Sequence, residues 1–224
     1  MCGRYTLTVG REDLAAAFPL DEAPGEIPER YNVAPTQHVA VIANRKPRRV
    51  EFFHWGLIPF WADDPKIGNR MINARAETLA EKPSFRNAFR RRRCLVLADG
   101  FYEWTKRGGK KWPLYLRMKS GEPFAFAGLW ERWSGPGGEE VESCTIVTTE
   151  ANDLVAGFHD RMPVILRPGD YEAWLDPEER DPEELSRLLA PFPSELLEVR
   201  PVGRVVNDPS NDRPECVEPI EPPG

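Results

Sequence analysis

Residues 94–151, CLVLADGFYEWTKRGGKKWPLYLRMKSGEPFAFAGLWERWSGPGGEEVESCTIVTTEA, decide the fold class. Four short runs within them, CLVLADGFYEW, KWPLYLRM, PFAFAGLWERW and SCTIVTTEA, are rich in the aromatic and β-branched residues that suit a pleated surface. Between the runs stand RGG, SGE and SGPGG, whose glycines and proline supply the backbone angles of turns. The simplest reading is a predominantly antiparallel sheet.

Upstream, HVAVIAN is strand-like and RRVEFFHWGLIP continues it across a turn at Lys46 and Pro47. REDLAAAFPL has helical apolar spacing and stops at Pro19, and YNVAPTQ reads as a loop. ETLAEKPSFRNAFRRRR contains a predicted helix that ends in arginines 86 and 90–93. Downstream, NDLVAGFH predicts a short helix capped by Asn152 or Asp153, followed by helices at DYEAWL and PEELSRLLA with acidic first turns. Residues 208–224 form a Pro-rich strap or tail. The chain holds no internal repeat or linker, so a single α+β domain over 1–224 is expected.

With 224 residues and 41% hydrophobic composition, the chain can bury a core without disulfide or metal staples. It contains no apolar run of membrane-spanning length, and its start lacks the basic and apolar regions of a signal peptide, so a cytoplasmic address is expected. The cysteines at 2, 94, 144 and 216 show neither a C-x-x-C pair nor a histidine at ligand spacing, which argues against zinc and points to reduced thiols. No metal and no cofactor are expected. The net charge of −6 hides an asymmetry, because residues 1–120 carry +9 and the remainder −15. A basic half of this kind leaves nucleic-acid binding open.

Cys2 follows the initiator Met and, once Met1 is removed, offers a thiol and a primary amine two carbons apart. Such a 1,2-aminothiol condenses with an aldehyde twice, first as a Schiff base and then as a five-membered thiazolidine. In MINARAET, Asn73 and Arg75 are two apart and face the same side of an extended segment, where they could hold a phosphate or a substrate oxygen. Glu103 stands among Phe101, Tyr102 and Trp104, where desolvation raises a carboxyl pKa into the general acid–base range. His159 ends a predicted helix and precedes Asp160 and Arg161. Each has a plainer alternative: a hydrogen-bonded loop Asn, a surface Glu at a strand end, a helix-capping His.

MCGRY, YNVAPTQ, WGLIPFW, INARAET, RNAFRRRRCLVLADGFYEW, GLWE, TIVTTEAN and HDRMPVIL, in this order from residue 2 to about 207, closely resemble the SRAP (SOS-response-associated peptidase) family of abasic-site processing proteins. That resemblance implies a barrel-like sheet core with flanking helices and a monomer that binds abasic single-stranded DNA in a basic groove during the SOS response, at the nucleoid. It implies a covalent thiazolidine link through Cys2 after self-removal of Met1, with possible lyase activity. It assigns Asn73 to orienting the amine or sugar, Glu103 to acid–base catalysis, and His159 to ring opening and proton transfer. Arg4, Arg75, Arg161 and Thr148 match positions that hold DNA phosphates. Trp55 is expected either on the groove wall, among stacked bases, or in the core. Two other readings stay open: an N-terminal-nucleophile cysteine peptidase acting on other proteins, and a noncatalytic single-strand binder.

Overall fold

The computed structural model describes residues 2–178 and 180–221, with Arg107 described for its backbone alone. In chain order the strands are β1 (Tyr5–Leu7), β2 (Arg30–Val33), β3 (His38–Ala43), β4 (Val50–Trp55), β5 (Asn73–Arg75) and β6 (Arg93–Ala98). They continue with β7 (Gly100–Arg107), β8 (Lys110–Met118), β9 (Phe124–Ser134), β10 (Glu140–Glu150), β11 (Arg161–Pro163) and β12 (Leu197–Pro201). The helices are short: α1 (Arg11–Ala17), α2 (Arg86–Arg91), α3 (Tyr171–Trp174) and α4 (Pro182–Ser186).

Strands β10, β4, β3, β6 and β9 pair in that order, and β9 returns to β10, so the five close into a barrel. Closure leaves no free edge along these strands. All of its pairings are antiparallel except β10 with β4. A second, antiparallel sheet runs β12–β8–β7–β1–β2. The period-2 pattern sorts side chains between two cores. Val39, Val41, Ala43, Phe53, Cys94, Val96 and Cys144 join the inner face of the second sheet through Tyr5, Phe101 and Leu116. Ala40, Ile42, Leu95, Leu97, Ala127 and Leu129 face outward and are covered by Leu14 of α1, Phe89 of α2, Trp174 of α3 and Leu185 of α4. Gly128 packs directly against its neighbouring strand, since a Cβ there would sit 2.7 Å from Cys94 Sγ and 2.8 Å from Val96 Cγ2. Overpacking of this kind costs roughly 1–3 kcal/mol. Gly128→Ala is therefore expected to lower the denaturant midpoint, and an unchanged midpoint would mean that the wall yields freely.

Several sequence expectations need correction. The run CLVLADGFYEW is two strands in two sheets, broken at Asp99. The Asp99 carboxylate accepts from Thr6 Oγ1, Thr8 N and Thr8 Oγ1, which turns the chain aside. Gly100 then passes so close to the Tyr115 ring that a Cβ would overlap it. YNVAPTQ is half strand, because Tyr31, Asn32 and Val33 belong to β2. The helix contained in 77–93 is α2, which begins after Pro83 and stops before Arg92 and Arg93. NDLVAGFH makes one 3-10 turn, Val155–Gly157, although Asn152 Oδ1 does accept from Val155 N at 3.0 Å. Asp208 to Glu221 pack against the second sheet as a strap, while 222–224 lie outside the described residues.

Candidate active site and nucleic-acid interface

Cys2 precedes β1, and its side chain is buried beside the Tyr5 and Trp55 core. Asn73, the first residue of β5, donates from Nδ2 to the Cys2 carbonyl oxygen at 2.8 Å. Its Oδ1 is buried and has no hydrogen-bond partner among the described residues. β5 is held in place by parallel pairing with β10, Asn73 opposite Ile146 and Arg75 opposite Thr148. Arg75 is exposed at the strand's end.

Glu103 lies on β7, which pairs with β1, so the sheet that anchors the N-terminal segment also positions the carboxylate. Burial raises the Glu103 carboxyl pKa to about 7. Burial, reinforced by the nearby Glu103 carboxylate, also pushes the Cys2 thiol well up. His159 follows the 3-10 turn and precedes β11. Its Nδ1 stands 2.9 Å from the Arg161 backbone N, 3.0 Å from the Arg161 carbonyl oxygen and 3.2 Å from Asp160 Oδ1, so this ring nitrogen is fixed against the backbone at the start of β11. Burial lowers its pKa, so the neutral form is favoured at neutral pH. Glu103 and His159 line one cavity of about 530 Å³ together with Arg4, Trp104, Lys106, Lys111 and Asn207.

The cations around this cavity are held in different ways. Arg4 donates from Nη1 to Asn32 Oδ1 at 2.6 Å and to the Val206 carbonyl at 2.7 Å, and its guanidinium stands 5.7 Å from the Trp104 ring centre. Arg161 pairs bidentately with Glu77 at 2.7 and 3.0 Å and also donates to the Thr148 carbonyl at 2.7 Å. Thr148 itself is fully buried, so its hydroxyl faces Arg161 at 3.3 Å and is not presented to solvent. Any part it takes in holding DNA passes through that arginine.

Trp55 is a correction. It is fully buried, its ring centre lies 5.3 Å from that of Tyr5, and its Nε1 donates to the Ile72 carbonyl at 2.9 Å. Stacking a base on it would require opening the core. The exposed aromatics are Phe52, Phe60 and Trp61, and Trp61 lines a separate cavity with Lys66 and Arg70. The arginine run also divides. Arg93 is buried and donates to the carbonyls of Phe89, Arg90, Trp174, Asp176 and Glu178, which ties α2 to α3. Arg92 pairs with the buried Glu131 at 2.6 Å. Sequence reading did not find Trp104, Lys106, Lys111 or Asn207, because nothing in their spacing marks a shared cavity wall. Among the described residues no group of three or more His, Cys, Asp and Glu could hold a metal, and no helix is long and apolar enough to cross a membrane.

Residues 1–209 match the family described as SOS response associated peptidase (SRAP). The chain belongs to the SRAP family. Among its SRAP relatives, the abasic site processing protein YoqW of Bacillus subtilis (strain 168) is 46% identical over 222 residues, covering 97% of this chain and 99% of that protein. The abasic site processing protein HMCES of Gallus gallus is 34% identical, over 99% of this chain and 78% of that protein. The fold is similar to a crystal structure of a Bacteroides thetaiotaomicron protein with a TM-score of 0.88 and 30% identity, covering 98% of this chain and all of that one. The α+β architecture, with its closed barrel and largely antiparallel sheets, is thus that of the SRAP fold.

Proposed function

We propose that this protein traps abasic sites in single-stranded DNA as a covalent crosslink through the amine and thiol of Cys2, after Met1 has been removed. The observation that carries this reading is the pairing of Cys2 with Asn73 beside a carboxyl whose pKa is about 7. Abasic deoxyribose is mostly a closed hemiacetal, so opening it requires proton transfer in both directions near neutral pH. Glu103 at about 7 and a neutral His159 provide an acid and a base for that task. The unspent Oδ1 of Asn73 is an acceptor for an amine N–H or a sugar hydroxyl.

The raised thiol pKa orders the steps. The amine attacks the aldehyde carbon first, and loss of one water leaves the imine. The Cys2 sulfur then bonds to the imine carbon as its proton leaves, and the imine nitrogen gains a proton, closing the thiazolidine. One water is released in the whole sequence. Self-removal of Met1 belongs to the same reading, because an amide nitrogen has no basic lone pair. Exposed Arg75, with Arg4 and Arg161, would take backbone phosphates, and exposed Trp61 is better placed than Trp55 to stack on a base.

The test compares three substrates at equal concentration: an abasic single strand, the same strand intact, and the abasic strand in full duplex. A denaturing gel should show a stable shifted band for the first alone, with an intact mass equal to protein without Met1 plus DNA minus one water. Equal yields on all three would refute the reading.

A further inference from the structure

The β7–β8 hairpin carries charge that neither the fold nor the chemistry above uses. Its tip, residues 106–111, reads KRGGKK, four cations with no acid. In the ladder Lys106 stands directly opposite Lys111. Like charges facing each other across antiparallel strands destabilise the pairing. The turn is a two-residue one with φ of 53° at Gly108 and 73° at Gly109, a tight connection that holds the two lysines together. Both are exposed, and neither has a carboxylate partner among the described residues. By contrast Arg161 is paired with Glu77, Arg30 with Asp212, and Arg4 with Asn32 and Val206. Lys106 and Lys111 also line the cavity that holds Glu103 and His159. The hairpin thus keeps an uncompensated repulsion at the rim of the candidate active site, where a bound anion would relieve it.

We propose that this tip is a phosphate clamp, in which Lys106 and Lys111 together grip one phosphodiester of the DNA strand beside the abasic nucleotide. The inference rests on the abasic-site reading. Lys106 lies three steps along the strand from Glu103, about 10 Å at the usual rise, so the gripped phosphate belongs to a neighbouring nucleotide and not to the reacting sugar. Lysine suits such a contact, since a flexible point charge holds a phosphate without regard to base identity. The clamp fixes the strand's path past the cavity and contributes affinity that grows with the length of DNA on one side of the lesion.

The test uses single strands carrying a tetrahydrofuran abasic analogue, which lacks the aldehyde and so reports binding alone. Nucleotides are added one at a time to either side. Wild type should gain affinity as one side lengthens across the hairpin, then reach a plateau. Lys106→Gln with Lys111→Gln should lose that gain, and its salt dependence should fall by about 0.7 in log–log slope, the value for one single-strand phosphate. Lys111→Glu is the folding control, because it places opposite charges across the ladder and so supports the hairpin while removing the clamp. It should lose the length gain as well. If it binds the long strands as wild type does, with the same slope, the clamp is wrong. Crosslinking of true abasic DNA by wild type, run alongside, separates the two ideas: a wild type that crosslinks normally beside variants that keep the length gain overturns the clamp alone, and a wild type that never crosslinks overturns both.

Discussion

Cys2→Ser, freed of Met1, is expected to form with abasic single strands only an imine that borohydride must trap, whereas the wild-type adduct survives denaturation without reductant. The amine is present in both proteins, so the first condensation is common to both. The second is not, because a hydroxyl is a far weaker nucleophile than a thiol or thiolate near neutral pH. The serine imine therefore reverts with water or cuts the strand by β-elimination, and strand scission should rise as stable adduct disappears. The Asn73 hydrogen bond is to the backbone carbonyl of residue 2, so the substitution leaves that anchor in place. An uncleavable extension ahead of Cys2 should abolish both products, with the stable crosslink falling below detection. A stable adduct from the extended protein would assign the attacking amine to a lysine and end the N-terminal mechanism.

Glu103→Gln is expected to do two opposite things. Removing a placed proton-transfer group typically slows a reaction by roughly 10²–10⁴-fold, and single-turnover adduct formation should fall by that order while binding of the tetrahydrofuran analogue persists. The same change should stabilise the fold at alkaline pH. Burial holds the native Glu103 pKa at about 7, against an ordinary value of 4.5, so between those values the native state binds more protons than the unfolded chain. Wild-type stability therefore falls as pH rises through that window, and above about 7 the penalty is on the order of 3 kcal/mol. A neutral glutamine lacks this fall. Denaturant midpoints at pH 5 and pH 8 should show a small gap between the two proteins at the lower pH and a wide one at the higher. Parallel midpoints across the range would place the carboxylate in a solvated setting and remove the basis for its role, as would an unchanged adduct rate.

The parts of this fold legible in the sequence are those where local pattern and tertiary demand agree. The apolar runs of β3, β6 and most of β9 have little choice but to be barrel strands, since both of their faces are buried, whereas β4 leaves Phe52 exposed. What pattern does not carry is non-local pairing. Nothing in VEFFHW or NAR reveals that both lie parallel to β10, and the break at Asp99 depends on Thr6 and Thr8, more than ninety residues away. The site divides in the same way. The aromatic neighbours of Glu103 mark a strand that is buried on folding, and burial raises its pKa. Trp55 was not readable, since an aromatic in sequence looks alike whether it lies in a groove or a core. Arg93 likewise ends a run of identical residues, yet is the one caged by backbone carbonyls, because only it begins a barrel strand.

The segment bearing Cys2 is held by parts of the chain made long after it. β1 pairs early with β2 but gains its second partner only when β7 exists, Asn73 is fixed only when β10 arrives, and β2 is locked to the strap when the carbonyls of Val206, Asp208 and Asn211 close around Asn32. Arg4 waits for the same Val206 carbonyl. The thiol of residue 2 is thus made before every group that will surround it. A product truncated before the strap carries Cys2, Asn73, Glu103 and His159 but lacks the carbonyls that hold Asn32 and Arg4.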